Sequence, residues 1–177
     1  MKKRIFLKAL VGVVTVPAAM LGCRSILAGG NTGTVASESS GGIATGLPIE
    51  KIELTVAEWK RKLTPAQFDV LRRHRTERPF TSALNGEMRE GTYACAGCDL
   101  PLFSSSTKYD SGTGWPSFYQ ALPDRVGTST DYKLILPRTE YHCARCGGHH
   151  GHVFKDGPQP TGLRYCNNGV ALTFYPS

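Results

Sequence analysis

The sequence lacks several features that would decide its class at once. Among its 177 residues there is no acidic side chain before Glu38, no apolar run of about 20 residues, and no internal repeat beyond two Cys-x-x-Cys motifs. The lack of a long apolar run argues against an ordinary membrane-spanning helix. The 20 Gly and 11 Pro residues interrupt regular structure too often for a helical bundle. The composition therefore predicts one globular, β-rich domain.

The first 23 residues are predicted to form a signal peptide. Four basic residues lie between Lys2 and Lys8, and the apolar run that follows at 9–21 is short. A membrane-spanning helix needs about 20 apolar residues, so this run is typical of a signal-peptide core. Without the four basic residues, 17 basic side chains face 14 acidic ones and the net charge falls from +7 to +3. A nucleic-acid partner is therefore not expected.

Two strings in this segment bear on export. Residues 3–8 resemble a twin-arginine signal in which Lys3 replaces the first arginine, which leaves both the Tat and the Sec pathway open. Residues 20–23 resemble a bacterial lipobox that ends at Cys23, so a lipid anchor at this cysteine and a soluble form are both open. Either way, the protein is predicted to be exported to the bacterial periplasm or cell envelope.

The rest of the chain divides into a linker and a domain. Residues 24–50 are rich in Gly, Ser, Thr and Ala and are interpreted as a flexible linker, and residues 51–177 as the domain. Capping boxes at Thr55 and Thr64 predict two short helices, with the face of the second continuing to His74. Beyond them the pattern predicts strands at 92–94, 132–136, 140–143 and 171–175.

Four of the six cysteines form two Cys-x-x-Cys motifs that are separated by 44 residues: Cys95 with Cys98, and Cys143 with Cys146. This spacing favours one tetrahedral Zn²⁺ held by four thiolates, and two disulfides are the alternative in an oxidising compartment. Four thiolates leave no position for water, so the ion, one per chain, would be structural. It would clamp the two ends of a small sheet, and catalysis must then come from elsewhere.

Cys166 is the domain cysteine left over once the two motifs are assigned. Arg164 and two following asparagines are expected to lower the pKa of its thiol and make it a nucleophile. The cluster that contains His149 and His152 could supply acid–base groups. A metal-binding role for these two histidines, as in a zinc hydrolase, is one alternative, and a buried structural cysteine is the other.

The stretch 58–176 resembles the methionine-R-sulfoxide reductases of the B type. The resemblance rests on motifs in one order: WK at 59–60, LTP at 63–65, TERPF at 76–80, the first cysteine motif, PLF at 101–103, DSGTGWPSF at 110–118, the second cysteine motif, GHVF at 151–154, DGP at 156–158 and PTGLRYC at 160–166. It implies a mainly β fold of two antiparallel sheets, or an open β-barrel, with short N-terminal helices and a Cys₄ zinc clamp.

The resemblance also implies a reaction. The thiolate of Cys166 would attack the sulfur of methionine (R)-sulfoxide while an imidazolium, His152 with His149, protonates the oxygen. Methionine would leave, and Cys166 would become a sulfenic acid. The substrates would be oxidised proteins or peptides, with no nucleic acid and no membrane contact except through a lipid anchor.

Other residues match or depart from the family's site. Trp115 would pack against the substrate methyl group, and Asn168 and Arg164 would orient the site. His150 stands where the family usually has Leu, and Thr113 stands where many members have a resolving cysteine. A thioredoxin-like or small-thiol donor is therefore expected to reduce the sulfenic acid directly. A zinc-ribbon binding module without catalysis is the alternative function, although it leaves this site without a task.

Overall fold

The computed structural model describes residues 49–177, so the predicted signal peptide and nearly all of the predicted linker lie outside the described residues. The described chain contains two α-helices and nine β-strands: α1 Val56–Lys62, α2 Pro65–Arg73, β1 Gly91–Cys95, β2 Pro101–Ser104, β3 Lys108–Tyr109, β4 Ser117–Phe118, β5 Val126–Asp131, β6 Arg138–Cys143, β7 His149–Phe154, β8 Arg164–Asn167 and β9 Leu172–Pro176. None of the described helices is long and apolar enough to cross a membrane.

Both predicted helices are confirmed, and each begins at the predicted capping box. The amide of Glu58 donates to the Thr55 hydroxyl at 3.3 Å, and the amide of Gln67 donates to the Thr64 hydroxyl at 3.2 Å. The Glu58 and Gln67 side chains complete the boxes by accepting from the cap amides. His74 does not continue α2, because it adopts a left-handed conformation with φ 54° and ends the helix.

The strands form two antiparallel sheets, which confirms the predicted fold class. One has three strands in the order β2-β1-β9, and the other has six in the order β3-β4-β8-β7-β6-β5. Neither sheet closes on itself in the described part of the chain, so the architecture is open. Strands β7 and β8 lie in the middle of the larger sheet, where a neighbour on each side fixes their register.

One of the four predicted strands is wrong. Residues 132–136 form an exposed loop between β5 and β6, and Ile135 is fully exposed. The carboxylate of Asp131 accepts from the amide of Lys133 at 2.9 Å, which turns the chain out of β5 at the point where the apolar run begins. The other three predictions correspond to β1, β6 and β9, and six further strands were not predicted, among them the polar edge strand β5.

The core contains an aromatic cluster of side chains from the two sheets, and residues of both helices pack around it. Phe103 of β2 stacks on Phe118 of β4 with ring centroids 4.4 Å apart, and Tyr93 of β1 meets Phe118 at 4.9 Å. Tyr141 of β6 is fully buried beside them. Since such rings bury large apolar areas, this cluster holds the larger sheet in place and fixes the strands that carry the site.

Candidate active site

The four cysteines of the two motifs meet in one buried cluster. The Sγ atoms of Cys95 and Cys146 lie 3.7 Å apart, those of Cys98 and Cys143 lie 3.4 Å apart, and all four lie within 4.8 Å of one another. A tetrahedral zinc site with bonds of about 2.3 Å places its sulfurs about 3.8 Å apart, so the donor set fits this ion. The sulfur separations exceed that of a disulfide, and all four are free thiols, so the disulfide alternative is not supported.

The cluster joins the two sheets. The sequence predicted a clamp between the two ends of one small sheet, and this prediction is wrong. Cys95 ends β1 in the three-stranded sheet, whereas Cys143 ends β6 in the six-stranded sheet. The guanidinium of Arg72, on α2, donates to the carbonyl of Cys146 at 3.0 Å and so ties the helical segment to the same place. The four cysteines that could hold a metal ion therefore connect three parts of the fold.

Cys166 lies in the centre of the six-stranded sheet. On β8 it faces His152 of β7 on one side and Ser117 of β4 on the other. Its thiol lines a cleft of about 120 Å³ together with Trp115, His152 and other side chains. Gly151 permits this arrangement, because a Cβ atom at that position would overlap the carbonyl oxygen of Cys166.

The pKa of the Cys166 thiol is raised, contrary to the expectation from its basic neighbour. Burial raises the pKa, and the charge of Arg164 together with hydrogen bonds from Thr113 and Arg164 offsets this only in part. The Arg164 guanidinium is already paired with Asp156 through two hydrogen bonds of 2.9 and 2.8 Å. Since Asp156 also raises the pKa of Cys166, the resting form at neutral pH is a thiol.

Each of the two predicted catalytic histidines is held by a carboxylate. His149 Nδ1 lies 2.7 Å from Glu140 Oε1, and His152 Nε2 lies 2.7 Å from Asp131 Oδ2. The backbone amide of Lys133 and the His152 side chain hold the pKa of Asp131 well below its usual range. Carboxylates accept hydrogen bonds, so the ring nitrogens bonded to them carry the protons. The other nitrogen of each neutral ring is unprotonated and can accept a proton.

Burial keeps both imidazoles neutral in the resting site. It lowers the pKa of His149 to about 4, although Glu140 opposes the shift, and it lowers the pKa of His152 against the opposing effect of Asp131. The ring centroids of His149 and His152 lie 5.6 Å apart. Only His152 lines the cleft of Cys166, whereas a larger cavity of about 390 Å³ is lined by both histidines.

Trp115 and Asn168 lie on the other side of the Cys166 cleft. The indole of Trp115 donates to the carbonyl of Glu77 at 3.2 Å, which fixes the plane of a half-buried ring. Asn168 is buried, accepts from the amide of Glu77 at 2.9 Å and donates to the carbonyl of His150 at 2.8 Å. It therefore connects the segment before β1 to β7 beside the cleft that it lines.

His150 points away from the site and into the core. It is fully buried, its ring stacks on Tyr141 at 6.2 Å between centroids, and neither ring nitrogen has a hydrogen-bond partner. Burial lowers the pKa of His150 to about 3. A β-bulge in β7 explains this placement: Tyr141 pairs with Gly151 and His142 pairs with His149, so His150 is the extra residue, and the interrupted alternation lets His149 and His152 line the same cavity.

The sequence analysis missed the carboxylates that organise the site. Glu140 and Asp131 orient the two histidines, and Asp156 pairs with Arg164. The side chain of Glu77 accepts from the amides of Gly169 and Val170 just beyond β8. Glu77 belongs to the TERPF string and Glu140 to the RTE string, so both could be seen in the sequence. Their partners could not be predicted, because pairing across strands depends on strand register, which a single sequence does not reveal.

Comparison with known proteins places these residues in a family context. The SelR domain family matches residues 63–176. A peptide methionine sulfoxide reductase MsrB of Pseudomonas putida (strain W619) is 54% identical over 129 residues, which cover 72% of this chain and 97% of the relative. The MsrB of Agrobacterium fabrum is 50% identical over 131 residues, covering 73% and 97%, and that of Methanosarcina mazei is 53% identical over 125 residues, covering 70% and 89%. The crystal structure of the Mis18 'Yippee-like' domain aligns with a TM-score of 0.40 at 16% identity, over 50% of this chain and 98% of that one.

Proposed function

The chain belongs to the MsrB family of peptide methionine sulfoxide reductases and reduces methionine (R)-sulfoxide to methionine, and from this premise we propose how its own residues carry the reaction. The observation that supports the assignment most directly is the cleft that Cys166 shares with His152 and Trp115. A thiol, a carboxylate-bound imidazole and an aromatic face within one small cleft are the groups that reduction of a sulfoxide needs.

Cys166 supplies the nucleophile, and its own proton supplies the acid. In the resting site the Cys166 thiol is protonated and the histidines are neutral. This state holds the same number of protons as a Cys166 thiolate beside a protonated His152, so moving one proton converts one state into the other. When the sulfoxide binds, the thiol proton passes to His152 and then to the sulfoxide oxygen as the Cys166 sulfur attacks the substrate sulfur. The S–O bond of the substrate breaks, methionine leaves, and Cys166 carries the hydroxyl as a sulfenic acid.

Glu140 and Asp131 strengthen the two histidines as acid–base groups. A carboxylate that accepts a hydrogen bond from one ring nitrogen stabilises the imidazolium formed when the other nitrogen takes a proton. His152 acts at the cleft itself, and His149 behind it stabilises the same charge at 5.6 Å between ring centroids. Trp115 excludes water at the substrate methyl group and so favours one sulfoxide stereoisomer by shape.

A thiol from outside the chain reduces the sulfenic acid. Thr113 lies beside Cys166 and cannot form a disulfide, and the other four cysteines of the described chain meet in the separate buried cluster. One external thiol condenses with the sulfenic acid and releases water, and a second thiol resolves the mixed disulfide and restores Cys166. The donor class is a thioredoxin-like protein or a small thiol.

The cysteine cluster would hold one structural Zn²⁺. Its ligands would be the four thiolates of Cys95, Cys98, Cys143 and Cys146, whose separations fit a tetrahedral ion. Bound zinc supplies a cross-link between the sheets, with no open position for substrate. The alternative function, a zinc-ribbon module that only binds, uses this cluster and leaves the Cys166 cleft without a role.

Oxidised polypeptides, more than free methionine sulfoxide, are the substrates that the surface favours. Leu134, Ile135 and Leu136 are exposed in the loop after β5, and with Phe154 they line a groove of about 690 Å³. Phe154 also lines the Cys166 cleft, so the groove continues the cleft outward. Apolar side chains that flank the sulfoxide in an unfolded chain would cover this patch.

This substrate preference has a direct kinetic test. Ile135→Ser with Leu134→Ser should lower kcat/KM several-fold for a peptide in which leucines flank the methionine sulfoxide. The same variant should leave kcat/KM for free methionine sulfoxide unchanged, since the amino acid does not reach the groove. Equal losses on both substrates would place the loop's role in stability and not in substrate binding.

Localisation in the cell envelope follows from the N-terminal segment alone and stays part of this proposal. Precursor that accumulates in cells without the twin-arginine translocase would assign that pathway, whereas normal processing there would assign Sec. Incorporation of labelled palmitate that is lost in Cys23→Ser would support the lipid anchor. A wild-type protein without label would support the soluble periplasmic form.

The decisive experiment for the reaction uses separated R and S diastereomers of a peptide methionine sulfoxide with excess dithiothreitol. The protein should reduce the R form only. Cys166→Ser should abolish turnover, whereas Cys23→Ser, the matched control, should retain it. Turnover by folded Cys166→Ser protein would contradict the assigned nucleophile, and no turnover of either form by zinc-loaded wild type would favour the binding module.

A further inference from the structure

Three side chains outside the Cys166 cleft bring metal-ligating atoms together. They are His74 at the end of α2, Glu140 on β6 and His149 on β7. Glu140 Oε1 lies 3.1 Å from His74 Nδ1 and 2.7 Å from His149 Nδ1, and the three ligating atoms lie within 4.8 Å of one another. Two imidazoles and a carboxylate suit divalent transition ions and not Mg²⁺ or Ca²⁺.

The geometry of this triad fits a small ion. With ligand bonds of about 2.0–2.2 Å, a tetrahedral ion spaces its nitrogen and oxygen donors by about 3.3 Å. The two N···O separations here are 3.1 and 2.7 Å, so His149 and Glu140 would move apart by about 0.6 Å to take the ion. The triad opens on the cavity of about 390 Å³, which leaves room for water or for a fourth ligand. His152 and Asp131 line the same cavity.

Orientation of His149 by Glu140 does not account for His74. The Glu140–His149 bond is complete by itself, and Ser129 donates to the other carboxylate oxygen at 2.7 Å. The ring centroid of His74 nevertheless lies 4.9 Å from that of His149. His74 itself has the left-handed conformation that ends α2, and this conformation directs its side chain there. Its side chain is 42% exposed, so a solvated ion can reach it.

We propose that His74, Glu140 and His149 form a second metal site, for a divalent ion such as Zn²⁺ or Co²⁺, whose occupancy reversibly inhibits the reductase. The ion would replace the protons on the two Nδ1 atoms and take the Glu140 oxygen that backs His149. His149 could then no longer stabilise the proton that moves to the sulfoxide oxygen. The inhibitory part rests on the proposed role of His149, whereas the binding part does not.

Binding is measured first, on protein whose cysteine cluster is saturated with zinc. Equilibrium dialysis against micromolar Zn²⁺ should give two ions per chain, and His74→Gln should give one. Arg73→Gln, a change at the neighbouring exposed position on the same helix end, should keep two. One ion per chain in wild type, or two in His74→Gln, would overturn the site.

Cobalt then reports which atoms bind. Co²⁺ added to the zinc-loaded protein should give visible d–d bands without a thiolate-to-metal charge-transfer band, because the ligands are nitrogen and oxygen. The bands should be absent in His74→Gln. A charge-transfer band that disappears in Cys166→Ser would show that the ion binds the nucleophile, and would overturn the proposal.

Inhibition is measured in a single turnover without added thiol, since dithiothreitol would compete for the ion. Zn²⁺ should lower the rate of methionine release at least ten-fold, and a chelator should restore it. His74→Gln should match wild type without metal and need at least ten-fold more Zn²⁺ for the same inhibition. Two bound ions without inhibition would overturn the regulatory part alone, and inactivity of protein that holds zinc only in its cysteine cluster would instead refute the proposed function.

Discussion

The reactive residues of this site are set by burial more than by the charges nearest to them. Arg164 and two asparagines beside Cys166 suggested a low thiol pKa, yet the pKa is raised because the thiol is buried and Arg164 is neutralised by Asp156. His149 shows the same effect with the opposite sign, since burial disfavours its charged form. Over a wide pH range, Cys166 and His152 together therefore hold one proton that can move between them, and at rest it is on the thiol.

This shared proton predicts the pH dependence of catalysis. Adding a proton to the histidines at low pH, or removing the thiol proton at high pH, destroys the reactive pair. We expect kcat/KM to be flat between about pH 6.5 and 9, to fall toward the His149 pKa of about 4, and to fall above the ordinary thiol pKa of 9.0. Measuring kcat/KM for a peptide sulfoxide from pH 4 to 10 checks this. A sigmoidal rise through pH 7 would mean that the resting thiol pKa is low.

The proposed reduction of the sulfenic acid by an external thiol can be tested at Thr113. Because the Thr113 hydroxyl is near enough to Cys166 to lower the pKa of its thiol, a cysteine in its place should form a disulfide after one turnover. Mass spectrometry after one equivalent of sulfoxide should show that wild type gains one oxygen, whereas Thr113→Cys loses two hydrogens. Thr113→Ser is the matched control and should behave as wild type. A disulfide at Cys166 in wild type would show that another cysteine resolves it.

His150 is a buried polar side chain without a partner. Replacing it with leucine removes the desolvation cost and should raise the free energy of unfolding by about 1–3 kcal/mol. The pKa is near 6.5 in the unfolded chain and about 3 in the folded one, so the histidine destabilises the fold as pH falls from 6.5 to 3. The variant should therefore lose less stability on acidification.

The measurement is urea unfolding of wild type and His150→Leu at pH 7 and pH 4. His142→Leu is the matched control, because this histidine is half-buried at the surface of the neighbouring strand. Activity of His150→Leu should be unchanged, since the ring faces away from the Cys166 cleft. A destabilised variant would mean that the ring nitrogens hold a buried water.

At the scale of elements, the short helices depend on their caps. An isolated helix of nine residues is unstable in water, so α2 needs both its capping box and its packing through Phe68 and Leu71. Thr64→Ala removes the hydroxyl that accepts from Gln67 and should cost about 1 kcal/mol of unfolding free energy. Chemical denaturation checks the value, with the exposed strand residue Thr128→Ala as the control. A loss no larger than that of the control would show that packing alone holds the helix.

Strand prediction succeeded where apolar and polar residues alternate and failed elsewhere. β1 and β9 pair with each other in the smaller sheet and carry the expected pattern. β7 reads His-His-Gly-His and resembles a loop, yet it is a central strand because β6 and β8 flank it on both sides. The apolar run 132–136 has the composition of a strand but has no strand beside it. Strand identity at these places comes from neighbours and not from propensity.

At the scale of the whole molecule, the cysteine cluster connects the sheet that carries Cys166 to the smaller sheet and to α2. Cys146→Ser should therefore lose the metal and several kcal/mol of unfolding free energy, with lower activity because the cleft loosens. Metal analysis and thermal unfolding measure both effects. Cys166→Ser, the control, should lose activity while it keeps the metal and the stability. Full metal content in Cys146→Ser would remove this residue from the ligand set.

The sequence by itself determined the helices, the metal-binding motifs, the fold class and the family, because capping boxes and Cys-x-x-Cys motifs are local and the family motifs are dense. The tertiary structure alone decided which carboxylate holds which histidine, the direction of the thiol pKa, the outward course of residues 132–136, and the meeting of His74 with Glu140 and His149. The physical reason is the distance along the chain over which each interaction acts. Local signals act within one turn or one motif, whereas strand register and burial depend on residues that are far apart in the chain.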